Sequence, residues 1–341
     1  WLSDIHLDPF YATPSAVHPD KCGSDRGADR VYSQVGCDPS YSLVEAAFQK
    51  VSSLISQGGT PVDFVIVTGD IARHGTDKLE NSFVATQQIL NNVSQLLHSS
   101  VQSARDGNSN EGGSHIPIVP SIGNNDVTPD YYIDLDHPLE MLQMVSDGFE
   151  AMMWPNRNFS DETADPQQED VERSTFQTGG YLARNVTEKI TLISLNTVIY
   201  STNHAPANQN TIDDPLNQFA WLEEQLDLAY SANRKVFISG HIPPAMGSYR
   251  HSQLWNEQHV KRYYSILSKY FDQDLVQGQF FAHLHSDEFR VINIDLDDDD
   301  TASDKQWPLF LASSISPIYG ANPSIRRVAY NRKNASLLDY D

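Results

Sequence analysis

The chain has 341 residues, 39% of them apolar and 10% aromatic, including 14 Phe, 15 Tyr and 5 Trp. That much aromatic mass builds a packed core and excludes a disordered or fibrous chain. No apolar run approaches the roughly 20 residues of a membrane-spanning helix. Lys and Arg number 23 against 45 Asp and Glu, a net charge of -22. This excludes the basic face that general nucleic-acid binding needs, so no nucleic-acid partner is expected. A polyanionic substrate would need metal ions or a local basic patch to offset the field.

Trp1 opens directly into Leu2, Ser3 and Asp4, with neither an initiator Met nor a signal peptide. The expectation is a processed or trimmed piece of a longer precursor. Cys22 and Cys37 are either two free thiols or the ends of one closed loop. The irregular chain around them favours the disulfide, worth about 3 kcal/mol, and the pair alone supplies too few ligands for zinc. Residues 42–57 space their apolar side chains by three and four, predicting an amphipathic helix. Val62 to Thr68 is a β-branched strand ending at Gly69-Asp70, 78–99 reads as helix, and Ile116 to Ile122 is a strand stopping at Gly123.

The polar, acidic stretch 155–178 reads as a surface excursion. Strands follow at Ile190 to Leu195, Lys235 to Ser239, Gln277 to Ala282, Phe289 to Ile294 and Leu309 to Leu311. Helices over Leu216 to Leu228 and Val260 to Tyr270 alternate with them, the pattern of β-α-β units. Asp295 and Asp297 to Asp300 read as a solvated loop. Asn92, Asn158, Asn185 and Asn334 begin glycosylation sequons, weak support for secretion. One domain over 1–341 is the economical reading, with the part from about 330 as a possible truncated subdomain.

Ligand-type residues stand at the strand ends. Asp4-Ile5-His6, Gly69-Asp70, Gly123-Asn124-Asn125-Asp126, Gly240-His241 and His283-Leu284-His285 occur in that order. In open α/β sheets ligands gather outside the carboxyl ends of strands. In D-x-H and H-x-H an alternating backbone would send both side chains to one side. Glycines before Asp70, Asn124 and His241 let the turns approach closely. Carboxylate, imidazole and amide oxygen together suit zinc, manganese or iron, and two such ions about 3.5–4 Å apart can clamp a displacement at phosphorus.

This series resembles the calcineurin-like metallophosphoesterases, whose fold is a four-layer α-β-β-α sandwich. Ser3-Asp4-Ile5-His6-Leu7-Asp8-Pro9, the Cys22/Cys37 loop, Gly240-His241-Ile242-Pro243-Pro244, Asp287-Glu288-Phe289 and the tail Ser316-Pro317, Asn322-Pro323, Arg326-Arg327-Val328 are closer still to one branch. They resemble the acid-sphingomyelinase-like phosphodiesterases and the vacuolar endopolyphosphatases. The resemblance implies two divalent metal ions, zinc first and manganese or iron next. Asp4, His6 and His285 would hold one, Asn124, His241 and His283 the other, and Asp70 would bridge them. A bridging hydroxide would attack phosphorus, and His74 matches a family histidine near the leaving group. Arg73 could contact a phosphate, and Asn196 resembles a family position near the site. Arg250 and His251 are weaker candidates, and Arg73, Arg250 and Arg262 could form a basic patch.

The sequence departs from the family at two places. Relatives place His where this chain has Asn125, a position that helps protonate the leaving group, and Gly where it has Ala282. An alcohol leaves poorly without such help, whereas a phosphate, with a second pKa of about 6, needs far less. The expectation is a dimetal phosphohydrolase of phosphoanhydrides, inorganic polyphosphate or nucleotide. The alternatives are a phosphodiesterase acting on phospholipid head groups and a binding protein with a degenerate site. Acidic composition and the cysteine pair fit the secretory pathway, whether extracellular, vacuolar or lysosomal.

Overall fold

The computed structural model describes residues 1–23, 31–57, 61–106, 115–155, 166–248, 251–293 and 306–341. Asn158, Arg250 and the Asp295 to Asp300 run lie outside them. In chain order the main elements are helix α1 (Tyr41–Gln57), strand β1 (Val65–Val67), α2 (Ser82–Asp106), β2 (Ile118–Pro120), α3 (Leu139–Met153) and α4 (Pro166–Gly179). Then come β3 (Leu182–Asn185), β4 (Ile190–Ser194), α5 (Gln218–Ser231), β5 (Lys235–Ser239), α6 (Glu257–Ser268) and β6 (Val276–Phe281). Four strands follow: β7 (Glu288–Asn293), β8 (Gln306–Leu311), β9 (Val328–Tyr330) and β10 (Leu337–Tyr340).

Six strands form one sheet in the order β3-β4-β5-β6-β8-β7, parallel from β4 to β8 and antiparallel at both edges. The centre of this sheet is apolar on both faces, as parallel strands covered on both sides must be. A smaller parallel pair, β1 and β2, is extended by the bridge from Leu2 to Val67. It lies against one face of the large sheet. Trp1 meets the Phe280 ring edge-on at 5.2 Å, and Phe64 meets Phe237 at 6.3 Å. Deeper in, the Ser121 hydroxyl reaches those of Ser194 at 2.9 Å and Ser239 at 3.3 Å.

Helices close both outer sides. α3 packs on β2, with α2 between it and α1, while α5 packs on β4 and β5. On the same outer face, Trp255 contacts Phe281 at 6.5 Å and Tyr263 donates its hydroxyl to Gln279 at 2.8 Å. The layering is α-β-β-α, as the resemblance implied. The antiparallel β9-β10 ribbon joins the inner face, where Tyr330 contacts Phe64 and Phe237.

One element reading is corrected. Residues 166–179 of the polar stretch form α4, anchored by fully buried Phe176 and by the ion pair from Glu172 to Arg184. A helix that buries only a narrow stripe leaves a polar sequence, and that is why it read only as a surface excursion. The whole of α3 and the edge strand β3 carried no expectation. Cys22 and Cys37 are joined as a disulfide, closing a loop at a sequence separation of 15.

Candidate dimetal centre

Two glycine turns build the floor. Gly69 has φ +81°, and a Cβ there would fall 2.6 Å from the Gly123 nitrogen; a Cβ on Gly123 would fall 2.1 Å from the Asp70 nitrogen. Only glycine lets these loops touch. Asp126 locks them together, accepting N–H bonds from Gly123, Asp70, Ile71 and Ala72 at 2.7–3.0 Å.

Convergence of the ligands does not come from strand alternation. Asp4, His6, Asp70, His283 and His285 have φ of 47°, 50°, 53°, 70° and 54°. Left-handed backbone at non-glycine residues costs of order 1 kcal/mol or more each and clusters at functional sites. The expectation of an extended D-x-H and H-x-H is therefore corrected: each is a corner. Surrounding bonds hold these corners in place, Asp4 N–H to Gly69 O at 3.1 Å and His6 N–H to Asp70 O at 3.0 Å.

The seven proposed ligands lie together. His6 Nε2 is 3.5 Å from Asp70 Oδ2 and 3.9 Å from Asp4 Oδ1, and His285 Nε2 is 3.3 Å from Asp4 Oδ1. On the other side of Asp70, His241 Nε2 is 3.2 Å from Oδ2, 3.1 Å from Asn124 Oδ1 and 3.2 Å from His283 Nδ1. Asp70 stands between the two groups. All seven are buried except His283, which is half-buried.

The donor set fits divalent cations. His241 gives its Nδ1 proton to the Thr68 carbonyl at 2.7 Å and His6 gives its own to Ala72 at 3.0 Å. Each leaves a lone pair on Nε2 facing inward, the usual arrangement behind a metal-bound imidazole. At His241 that lone pair meets two further acceptors, the Asp70 carboxylate and the Asn124 amide oxygen. Asn124 is turned this way because its amide nitrogen donates to Asp130 at 2.7 Å. Both oxygens of Asp4 are buried and make no hydrogen bond. Convergent acceptors need a cation or a proton between them.

The titration behaviour follows from the same crowding. Burial depresses His6 to about 4, His283 to about 3, and His285 well below the usual range. Burial raises Asp4 to about 7. Of the two ligand carboxylates Asp70 shifts the other way: burial works against its charge, but His241 beside it holds it well below the usual range. Burial likewise opposes the charge of His241, and Asp70 overrides it, lifting the ring to about 9. A proton on His241 stands where a cation would, and metal binding releases such protons.

His74 sits at the mouth, its ring stacked on that of His6 at 4.0 Å. Its Nδ1 faces both oxygens of Asp38 at 3.0 and 3.1 Å, and its backbone N–H donates to Asp38 at 2.9 Å. Burial disfavours the charged ring, but Asp38 outweighs it and raises the pKa. Tyr319 lies beyond, its hydroxyl 3.3 Å from His74 Nε2. On the opposite flank the Tyr131 hydroxyl is 3.4 Å from His283 Nε2.

Of the remaining sequence candidates Asn125 reaches the centre and the others fall elsewhere. Asn125 turns its side chain to Asp70 Oδ2 at 2.9 Å. Arg73 is buried and donates one guanidinium nitrogen to Asp8 and to the Ser15 carbonyl, both at 2.8 Å. Asn196 is fully buried, tied to Gln218 and Gly179; its neighbour Thr197 instead supports the His241 turn. Arg262 pairs with Asp213 and Asp214, so the basic patch imagined from Arg73, Arg250 and Arg262 is not built by the two described members. His251 is exposed. Asp38, Asp130, Tyr131 and Tyr319 carried no sequence signal of their own, because each reaches the centre only through the fold.

The side chains form adjacent groups that could each hold a divalent cation, with Asp70 between them. A model of the calcineurin-like phosphoesterase family matches residues 1–287, and the chain belongs to that family. It is 30% identical over 312 residues to sphingomyelinase phosphodiesterase D of Dictyostelium discoideum, covering 91% of this chain and 61% of that protein. It is 27% identical to cyclic GMP-AMP phosphodiesterase SMPDL3A of Bos taurus, covering 99% of this chain and 68% of that one. It is 29% identical to an endopolyphosphatase of Neurospora crassa, covering 85% of this chain and 37% of that protein. The chain thus spans about 61% of the Dictyostelium relative's length.

Proposed function

We propose that this chain is a two-metal phosphohydrolase that cuts phosphoanhydride bonds, with nucleoside polyphosphates or inorganic polyphosphate as substrate. The observation that carries this is Asn125. Where a second proton donor would serve an alcohol leaving group, the chain has an amide whose N–H is spent on Asp70. A departing phosphate tolerates that loss.

Asp4, His6 and His285 would hold one cation, Asn124, His241 and His283 the other, with Asp70 shared. When bound, the two cations supply Lewis-acid charge for the phosphoryl oxygens and lower the pKa of water. In the step itself a P–O bond forms from the water oxygen and the anhydride P–O bond breaks. Its electron pair leaves on the departing phosphate, and the water proton passes to solvent. His74, steadied by Asp38, holds a proton at the mouth for the departing oxygen.

A second reading has one observation in its favour. The proton on His74 is what an alcohol leaving group requires, so phosphodiester cleavage keeps one acid. The relatives include enzymes named for both kinds of bond. Turnover of the metal-loaded protein on tripolyphosphate, ATP and a choline phosphodiester, beside Asp70→Asn and His74→Asn, separates them. Anhydride cleavage lost in Asp70→Asn and only modestly reduced in His74→Asn supports the first reading. Turnover confined to the diester and abolished by either change overturns it.

The disulfide and the exposed sequon residues Asn185 and Asn334 support a setting in the secretory pathway, extracellular, vacuolar or lysosomal. Asn92 lies half-buried on α2 and donates to the Tyr41 hydroxyl. Among the described residues no helix is long and apolar enough to cross a membrane.

A further inference from the structure

Tyr319 is 68% exposed, yet it is rigidly placed. The backbone N–H groups of Ile315 and Ser316 donate to the Ser3 and Asp4 carbonyls at 3.2 and 3.0 Å. Ser316 Oγ donates to Asp38 at 3.1 Å, and the Pro317 carbonyl accepts from Gly36 and Gly320 at 3.1 and 3.0 Å. The turn that carries the ring is therefore fastened to a metal ligand, to the carboxylate behind His74 and to the disulfide loop. The ring stands roughly perpendicular to those of His285 and His74, with centroids 4.7 and 5.7 Å away, and its hydroxyl is 3.3 Å from His74 Nε2.

An exposed tyrosine on a surface needs no explanation. One fixed perpendicular to two imidazoles at the mouth of a charged site is different, because core packing does not require its ring there. Val35, 60% exposed, extends the surface, 3.9 Å from where a Cβ on Gly320 would stand. Beside His74 the chain thus offers aromatic and aliphatic surface. Of the described cations nearby, Arg73 is committed to Asp8 and Ser15, while Lys21 places its Nζ beside Gly36, beyond Val35. A long inorganic polyanion gains nothing from such a wall in a chain of net charge -22.

We infer that Tyr319 is a specificity-determining residue: its ring packs against a planar organic body, such as a nucleobase, carried by the leaving group. This rests on the phosphoanhydride reading and narrows it toward nucleoside polyphosphates. Base-on-tyrosine stacking is tolerant of sequence and commonly shifts affinity tenfold or more.

The test compares wild type, Tyr319→Ala and Tyr319→Phe, each metal-loaded, in two measurements. Calorimetry gives the affinities for ADP and pyrophosphate, and kinetics give the ratio of kcat/KM for ATP to that for tripolyphosphate. The expected result is a tenfold or larger fall in the ADP-to-pyrophosphate preference and in the kinetic ratio for Tyr319→Ala. Tyr319→Phe, which keeps the ring, should stay within about threefold of wild type on both. Equal losses for ADP and pyrophosphate in Tyr319→Ala overturn the inference, as does a Phe variant as impaired as Ala. If wild type hydrolyses neither anhydride, the proposed function fails, and the binding preference alone still decides the role of Tyr319. Melting temperatures of the three proteins confirm that all are folded.

Discussion

Asn125 donates to both carboxylate oxygens of Asp70, from its backbone N–H at 2.8 Å and from its side-chain amide at 2.9 Å. Asp70 is the one carboxylate between the two ligand groups, so its orientation sets both. Read from its neighbours in the chain, Asn125 is a lost acid; in the folded protein it is a brace. Asn125→Ala should weaken metal binding by about 10–100-fold, the usual cost of removing a group that orients a ligand. A metal titration followed by tryptophan fluorescence or calorimetry measures it. An unchanged affinity would mean that the backbone bond alone positions Asp70.

Restoring a proton donor at this position tests the leaving-group argument directly. Asn125→His should raise the ratio of phosphodiester to phosphoanhydride turnover, because the imidazole can protonate an alcohol. The measurement is kcat/KM on both substrate types at saturating metal. A ratio that stays the same or falls would remove the link between Asn125 and anhydride chemistry.

Much of the fold was legible because the large sheet announces itself. Ile190 to Ser194 and Lys235 to Ser239 are buried almost throughout, so their sequences read as short, mostly apolar runs without alternation. α4 was not legible, since Phe176 and the Glu172 pair anchor an otherwise polar helix. The ligand residues were visible as a series of short motifs at strand ends. Their geometry was not: five of them turn through left-handed backbone that no alternation rule foresees. Asp38 lies 36 positions before His74 in irregular chain, and only tertiary packing brings the two together. Arg73 drew notice as a free cation beside a motif, whereas Asp8 claims it.

The Asp38–His74 pair makes a separate prediction. Asp38 takes two bonds from His74 and a third from Ser316, so it fixes the ring and favours its protonated form. Asp38→Asn should lower the rate on substrates with poor leaving groups by about a hundredfold, the low end for a positioned acid. An activated ester such as a nitrophenyl phosphodiester should lose far less. A rate loss equal for both would assign Asp38 a structural role only. Cys37 immediately precedes Asp38, so reduction of the disulfide should show the same leaving-group dependence, together with a loss of about 3 kcal/mol of stability.

Chelation should destabilise the protein. Both Asp4 oxygens are buried without a hydrogen bond, and further acceptors converge around Asp70. Ligands that bind only the folded state raise its stability by mass action. The melting temperature should fall on treatment with EDTA and recover with added zinc or manganese, in a concentration-dependent way. Asp70→Asn should flatten that response, since it weakens both positions at once. A melting temperature indifferent to chelator and metal would argue against cation binding in the folded state.

His259 supplies a pH dependence far removed from the metal centre. It is buried on α6 beside the Tyr200 and Phe219 rings, at 5.1 and 5.9 Å, and its Nε2 donates to the Ile212 carbonyl at 2.8 Å. Its Nδ1 has no hydrogen-bond partner. Burial lowers its pKa below the ordinary 6.5, more than the Ile212 and Tyr200 carbonyls and then Asp213 offset, and Arg262 pushes the same way as burial. Above pH 6.5 the ring is neutral in both the folded and the unfolded chain, so it contributes no pH dependence. As pH falls below that value the unfolded chain takes up the proton first, and stability is lost until the folded ring also titrates. His259→Gln should therefore show a shallower decline of melting temperature between about pH 6.5 and pH 4.5 than wild type, even if its melting temperature at pH 7.5 is lower. Parallel curves over that interval would mean that His259 titrates alike in both states, and that its burial carries no penalty for acid conditions.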